Sequence, residues 1–243
     1  MTSPQLTIPA ASASYDDLPR LISLMTGDEK HVAAATSTLD VLWVLYDRVL
    51  RVSPATVDDP ARDRFLLSKG HGPMAYYATL AAKGFIPERW LSGWATWHSP
   101  LGHHPDRVLV PGVEIGSGSL GHGFPIAVGV ALGLRAQGVT SRVVVLVGDA
   151  ELDEGSNHEA TELAGALGLD SLTVVVVDNH SSTHNRSGRW SAPTSSERIA
   201  GRFGHEGWHT DVVDGRDHSA LETALSARYG GRPSVVVAEV EER

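Results

Sequence analysis

"VLVGDAELDEGSNHEA" (residues 145–160) runs from an apolar, β-branched stretch into an aspartate and then an acidic, glycine-marked segment. An unbroken β-branched run without polar alternation is how a strand reads when both faces of its sheet are covered. The chain around it repeats the pattern. "RFLLS" (64–68), "RVVVLVG" (142–148), "LTVVVVD" (172–178), "HTDVVDG" (209–215) and "SVVVAEV" (234–240) are strand-like. Between and before them, spacings of three and four predict helices over 17–26, 37–51, 73–83, 121–137, 155–167, 195–203 and 217–228. In the second of these, Leu39, Leu42, Trp43, Tyr46, Val49 and Leu50 line one apolar face, as a core-facing helix requires. Alternating strand and helix predicts an α/β fold, a doubly wound, mostly parallel sheet with helices on both faces.

The 243 residues suit one large α/β domain, expected over 17–243 after a polar, flexible lead at 1–16. The longest apolar runs are strand-sized, short of the roughly 20 residues of a membrane-spanning helix. No signal-like segment opens the chain, so the cytoplasm is the expected compartment. Cysteine is absent, which removes disulfides, thiolate nucleophiles and Cys-rich zinc sites. A formal net charge of −9 with scattered Lys and Arg argues against nucleic acid as a partner.

In a doubly wound sheet, ligands bind beyond the carboxyl ends of the strands. Asp149 stands at one such end. One strand–helix–strand unit later the chain returns to the same edge at "VVVVDNHSST" (174–183), with Asn179 just past the strand. A right-handed crossover brings the two ends together. A carboxylate, an amide oxygen and a loop carbonyl converging there are hard ligands suited to Mg²⁺ or Ca²⁺, and Mg²⁺ of this kind commonly completes its shell with water and phosphate oxygens. Each residue alone is equally a turn former or a helix cap.

Together, "GDAELDEGSNHEA" (148–160) followed by "DNHSST" (178–183) resembles the thiamine diphosphate motif of the transketolases. Three more stretches resemble that family in its order: "LSKGHGPMAYYATLAAKGF" (67–85), "HHPDRVLVPGVEIGSGSLGHGFPIAVGVALG" (103–133) and "FGHEGWHTDVVDGRDHSALETAL" (203–225). The resemblance implies a diphosphate-binding domain using thiamine diphosphate and Mg²⁺, for which Ca²⁺ can substitute. It implies Asp149, Asn179 and the carbonyl of Ser181 as metal ligands. Gly148 and the N–H of Ala150, which replaces the family's glycine, would meet the diphosphate. It further implies His71 as a cofactor-facing histidine and Gly118, Ser119 and Leu120 as the aminopyrimidine-holding segment.

For catalysis the resemblance points to His31, in "EKHVAAATS" (29–37) where the flanking glycines and proline of the family are gone, and to His104 rather than His103, because it precedes Pro105. A neutral imidazole there can bind sugar hydroxyls or move a proton near neutral pH. His122 and His184 stand where the family has Gln and Asp, and either reshape the pocket or are neutral drift. Glu154 and Glu159 match glutamates that face a subunit interface near the cofactor. His98, His205, His209 and His218 read as surface or capping residues.

Thiamine diphosphate chemistry also needs a carboxylate against the aminopyrimidine, which in transketolases comes from a second domain. The chain stops at "PSVVVAEVEER", before that domain and before the family's glycine-rich histidine loop. The expectation is therefore the N-terminal subunit of a two-component transketolase. It would move a two-carbon ketol unit from a ketose to an aldehyde, with a sugar or sugar phosphate as substrate. Its expected partner is a C-terminal transketolase subunit carrying the pyrimidine-binding domain, in a heterotetramer. The alternatives are another thiamine-dependent ketol or acyl transferase of a specialised pathway, a non-catalytic scaffold, and, ranked last, an NAD-binding protein, for which no G-x-G-x-x-G follows an early strand.

Overall fold

Strands β1 (Arg64–Leu67), β2 (Val143–Gly148), β3 (Leu172–Asp178), β4 (His209–Asp214) and β5 (Ser234–Glu239) form one sheet in the order β1-β2-β3-β5-β4. Every neighbouring pair is parallel. This is a computed structural model, and it describes residues 13–26, 36–180 and 195–240. The helices are α1 (Leu18–Ser23), α2 (Leu39–Val44), α3 (Met74–Ala82), α4 (Gly123–Ala136), α5 (Gly155–Ala166), α6 (Ser195–His205) and α7 (His218–Ser226). The expected mostly parallel sheet with helices around it is what the chain forms.

Side chains alternate along each strand, so the central strands feed two cores. Val144, Leu146, Val175, Val177, Val236 and Ala238 pack with α1, α2, α3 and α7 on one face. Val143, Val145, Val147, Val174, Val176, Val235 and Val237 pack with α4, α5 and α6 on the other. This is why these strands show no polar alternation. Each buried valine contributes about 1.5–3 kcal/mol relative to exposure, so Val145→Asp, an unpaired charge in a dry layer, would break the sheet at its centre.

The region 37–51 departs from one regular helix. α2 ends at Val44, and Leu45–Val49 widens into a turn closed by the Leu50 N–H on the Leu45 carbonyl at 2.8 Å. Residues from Leu39 to Tyr46 are all buried, not only the apolar face. That enclosure takes in Asp40, which a buried position forces to find partners. Its carboxylate accepts from Tyr15 Oη at 2.5 Å, Arg216 Nη1 at 2.5 Å and His218 Nε2 at 2.8 Å. Tyr15, although placed in the polar lead by composition, is thereby docked on the fold, edge-on to Trp43 and His218. His218 likewise does more than end a helix: its ring joins this buried ion network.

Candidate functional site

β2 and β3 are neighbours, with Gly148 in register with Val177. Asp149 leaves β2 directly beyond that pair, its N–H on the Val177 carbonyl at 3.2 Å, and Asn179 leaves β3 after Asp178. Asp149 is buried. Asn179 is held in a turn by Asp178, whose Oδ1 accepts from the His180 N–H at 3.1 Å and whose Oδ2 accepts from Ser196 Oγ at 2.8 Å. His180 takes a positive φ of 57°, the conformation that lets the chain double back there. Asn179 Oδ1 ends up buried with no hydrogen-bond partner. A buried amide oxygen in that state is costly unless a ligand completes it, and beside a carboxylate it fits a hard divalent cation. Ser181, the third expected ligand, and His31 and His184 lie outside the described residues.

The turn 69–72 after β1 and the loop 116–122 before α4 close over the same edge. Gly70 and Gly118 meet backbone to backbone: a Cβ on Gly70 would stand 2.8 Å from Gly118 Cα. His104 Nδ1 lies 3.0 Å from the Gly70 carbonyl, and its ring centroid is 6.2 Å from that of His71. His103 turns away, edge-on to Trp94 at 5.3 Å. His71, His104, Gly118, Ser119 and Leu120 are exposed at this rim, where a ligand can reach them. Ser119 Oγ pairs with His122 Nδ1 at 3.0 Å. Ala150 begins a short turn, Ala150–Asp153, without the positive φ that would demand the family's glycine. Glu154 precedes α5 and Glu159 sits in its second turn, both exposed.

Several residues of this edge carry no signal in the sequence. Lys69, mostly buried, lays its stem along Gly148, with Nζ 3.3 Å from the His71 carbonyl. Burial pushes its ammonium down to about 8, against the opposing pull of Asp149 and Glu151. Glu151 is buried too, and desolvation raises its carboxyl above the usual range despite hydrogen bonds from Ser68, Gly121 and Gly148 and the charge of Lys69. In sequence, Glu151 is one more acid of an acidic turn, and the hydroxyl that buries it comes from a residue 83 positions away.

A family model described as "Transketolase, thiamine diphosphate binding domain" matches residues 23–240. One of the two subunits of an apulose-4-phosphate transketolase from Actinobacillus succinogenes is 36% identical over 209 residues, which cover 86% of this chain and 75% of that protein. A protein of Rhodococcoides fascians named ferredoxin fas2 is 55% identical over 228 residues, 93% of this chain and 72% of that one. The 243 residues contain no cysteine and so offer no thiolates for an iron–sulfur cluster. Among solved structures, a transketolase from Leishmania mexicana superposes with a TM-score of 0.74 at 28% identity, covering 93% of this chain. The chain spans 36% of that transketolase's length. No helix among the described residues is long and apolar enough to cross a membrane. The chain belongs to the transketolase family, a group of transferases, and corresponds to its N-terminal, thiamine diphosphate-binding domain.

Proposed function

We propose that this chain is the diphosphate-binding subunit of a two-component transketolase that moves a two-carbon ketol unit from a ketose to an aldehyde, with a sugar or sugar phosphate as substrate. The observation that carries it is the pair at adjacent strand ends: buried Asp149 beside the partnerless amide oxygen of Asn179. Bound thiamine diphosphate supplies the carbon nucleophile that such a transfer needs. Asp149, Asn179 and the Ser181 carbonyl would hold Mg²⁺, or Ca²⁺ in its place, with diphosphate oxygens completing the shell. The Ala150 N–H, beside Gly148, donates to the diphosphate, and His71 faces the cofactor from the β1 turn. Gly118, Ser119 and Leu120 form the backing for the aminopyrimidine.

His104 and His31 take the substrate side, binding hydroxyls and moving a proton there. For His104 the contact of Nδ1 with the Gly70 carbonyl supports this role. If Nδ1 donates to that carbonyl, Nε2 is the acceptor of the neutral ring. Relatives that are themselves named as single subunits of transketolases support a second polypeptide. We assign that polypeptide the pyrimidine-binding domain and the activating carboxylate. Two copies of each chain, with Glu154 and Glu159 near an interface, give a closed heterotetramer. The setting is the cytoplasm, where charged sugar phosphates are retained.

A second reading is favoured by the ferredoxin name of the 55% identical relative: another thiamine-dependent ketol or acyl transfer in a specialised pathway. The test is to purify the chain alone and mixed with the candidate partner, then measure particle mass and ketol transfer to an aldehyde. Activity and a four-chain mass only in the mixture support the proposal. Full activity from this chain alone would overturn it, and turnover of 2-oxo acids but not ketoses would select the second reading.

A further inference from the structure

Glu151 is only 2% exposed, although it lies in a polar turn. Its Oε1 accepts from Ser68 Oγ and from the Gly121 N–H at 3.0 Å, and its Oε2 faces the Gly148 N–H at 3.4 Å. Ser68 Oγ in turn accepts from the Gly123 N–H at 3.0 Å, at the start of α4. The Glu151 carbonyl accepts from Asn157 Nδ2 at 2.7 Å, which ties the turn to α5. Gly121 is gripped at both ends, since its carbonyl accepts from Ser156 Oγ at 2.7 Å. There is no room for a side chain here: a Cβ on Gly121 would meet Ser156 Oγ at 2.6 Å, and one on Gly123 would meet Ser68 Cβ at 2.4 Å.

We infer that Glu151 is a positioning residue, a buried clamp that holds in one register the three segments the cofactor reading uses. These are the turn carrying His71, the loop carrying Gly118 to Leu120, and the end of β2 carrying Gly148 and Asp149. The inference rests on the proposed function and names the residue that shapes its site. Stability alone gives little reason for a carboxylate here, because apolar groups of similar volume commonly serve a core as well or better. What a carboxylate supplies and an alkyl group does not is several directed acceptors, which fix the orientation of backbone segments within hydrogen-bond tolerance. A site that binds a diphosphate through backbone N–H groups depends on that fixed orientation. Lys69, beside both Asp149 and Glu151, supplies the balancing positive charge.

The test compares the full chain with its Glu151→Gln and Glu151→Ala variants by amide hydrogen exchange and by calorimetric titration with thiamine diphosphate and MgCl2. Gln keeps one acceptor oxygen but turns an NH2 group toward a donor. Exchange should rise roughly tenfold or more over 68–72, 116–123 and 147–151, and cofactor affinity should fall roughly tenfold in Gln and further in Ala. Strands β3 and β5 and helix α3 should exchange as in the wild type. If Ala fails to fold, Gln decides the matter. A uniform rise in exchange, unchanged exchange in the three segments, or wild-type affinity in Gln would overturn the clamp. A wild-type chain that bound no thiamine diphosphate would defeat the functional reading instead, and the exchange pattern would still decide the clamp.

Discussion

Gly118 stands against the imidazole of His104 so closely that a Cβ on it would lie 3.0 Å from the ring's Cγ. Its φ of +123° is one that side chains rarely adopt, so the position is closed to other residues twice over. Gly118→Ala should cost about 1–3 kcal/mol and push His104 off the Gly70 carbonyl. In the assembled enzyme it should lower kcat much as His104→Ala does, with cofactor affinity changed less. Steady-state kinetics of both variants check this, and a Gly118→Ala enzyme with wild-type kcat would show that His104 need not be held there.

The metal assignment turns on Asp149 and Asn179. Asp149→Ala should weaken Mg²⁺-dependent thiamine diphosphate binding by roughly 100-fold while Tm stays within about 5 °C of the wild type. Asn179→Ala should do the same more mildly, because it removes an amide oxygen that has no partner within the fold. Titration calorimetry beside a thermal melt separates binding from folding. Wild-type titration by Asp149→Ala would refute the assignment.

His71 and His104 lie side by side but should fail differently. His71→Ala is expected to raise the dissociation constant for thiamine diphosphate roughly tenfold with little change in kcat at saturating cofactor, and His104→Ala the reverse. Cofactor titration at fixed substrate, followed by substrate titration at saturating cofactor, distinguishes them. Equal behaviour of the two would mean that the rim does not divide between cofactor and substrate.

Lys69 gives a pH signature. Its folded value of about 8 lies below the ordinary 10.5, because burial disfavours the ammonium. Below about pH 8 both folded and unfolded chains carry the proton, and the burial penalty is fully present. Between about 8 and 10.5 the unfolded chain binds more protons, so this group's contribution to stability rises with pH. The stability of the wild type minus that of Lys69→Met should therefore climb from pH 8 to pH 10 in urea titrations. Differencing removes the tyrosines that titrate in both proteins. A flat difference would mean that Lys69 keeps its proton when folded.

The sequence by itself determined the architecture and the place of the cofactor edge. Valine runs such as 143–147 and 174–177 can be buried on both faces only in a parallel sheet, and a parallel sheet places Asp149 and Asn179 at one edge. Those are period-two and strand-end arguments, local enough to be read along the chain. Tertiary structure alone decided which polar groups are dry. Glu151 reads like its exposed neighbours Asp153 and Glu154 until Ser68, from a strand far away in sequence, closes over it. Asp40 falls among the apolar residues of α2, and only the arrival of Tyr15, Arg216 and His218 makes that burial tolerable. The choice between His103 and His104 was settled in space by which ring reaches the Gly70 carbonyl. Burial and hydrogen bonding depend on partners tens of residues away, so a pattern read along the chain carries the sheet but not the clamp beneath its functional edge.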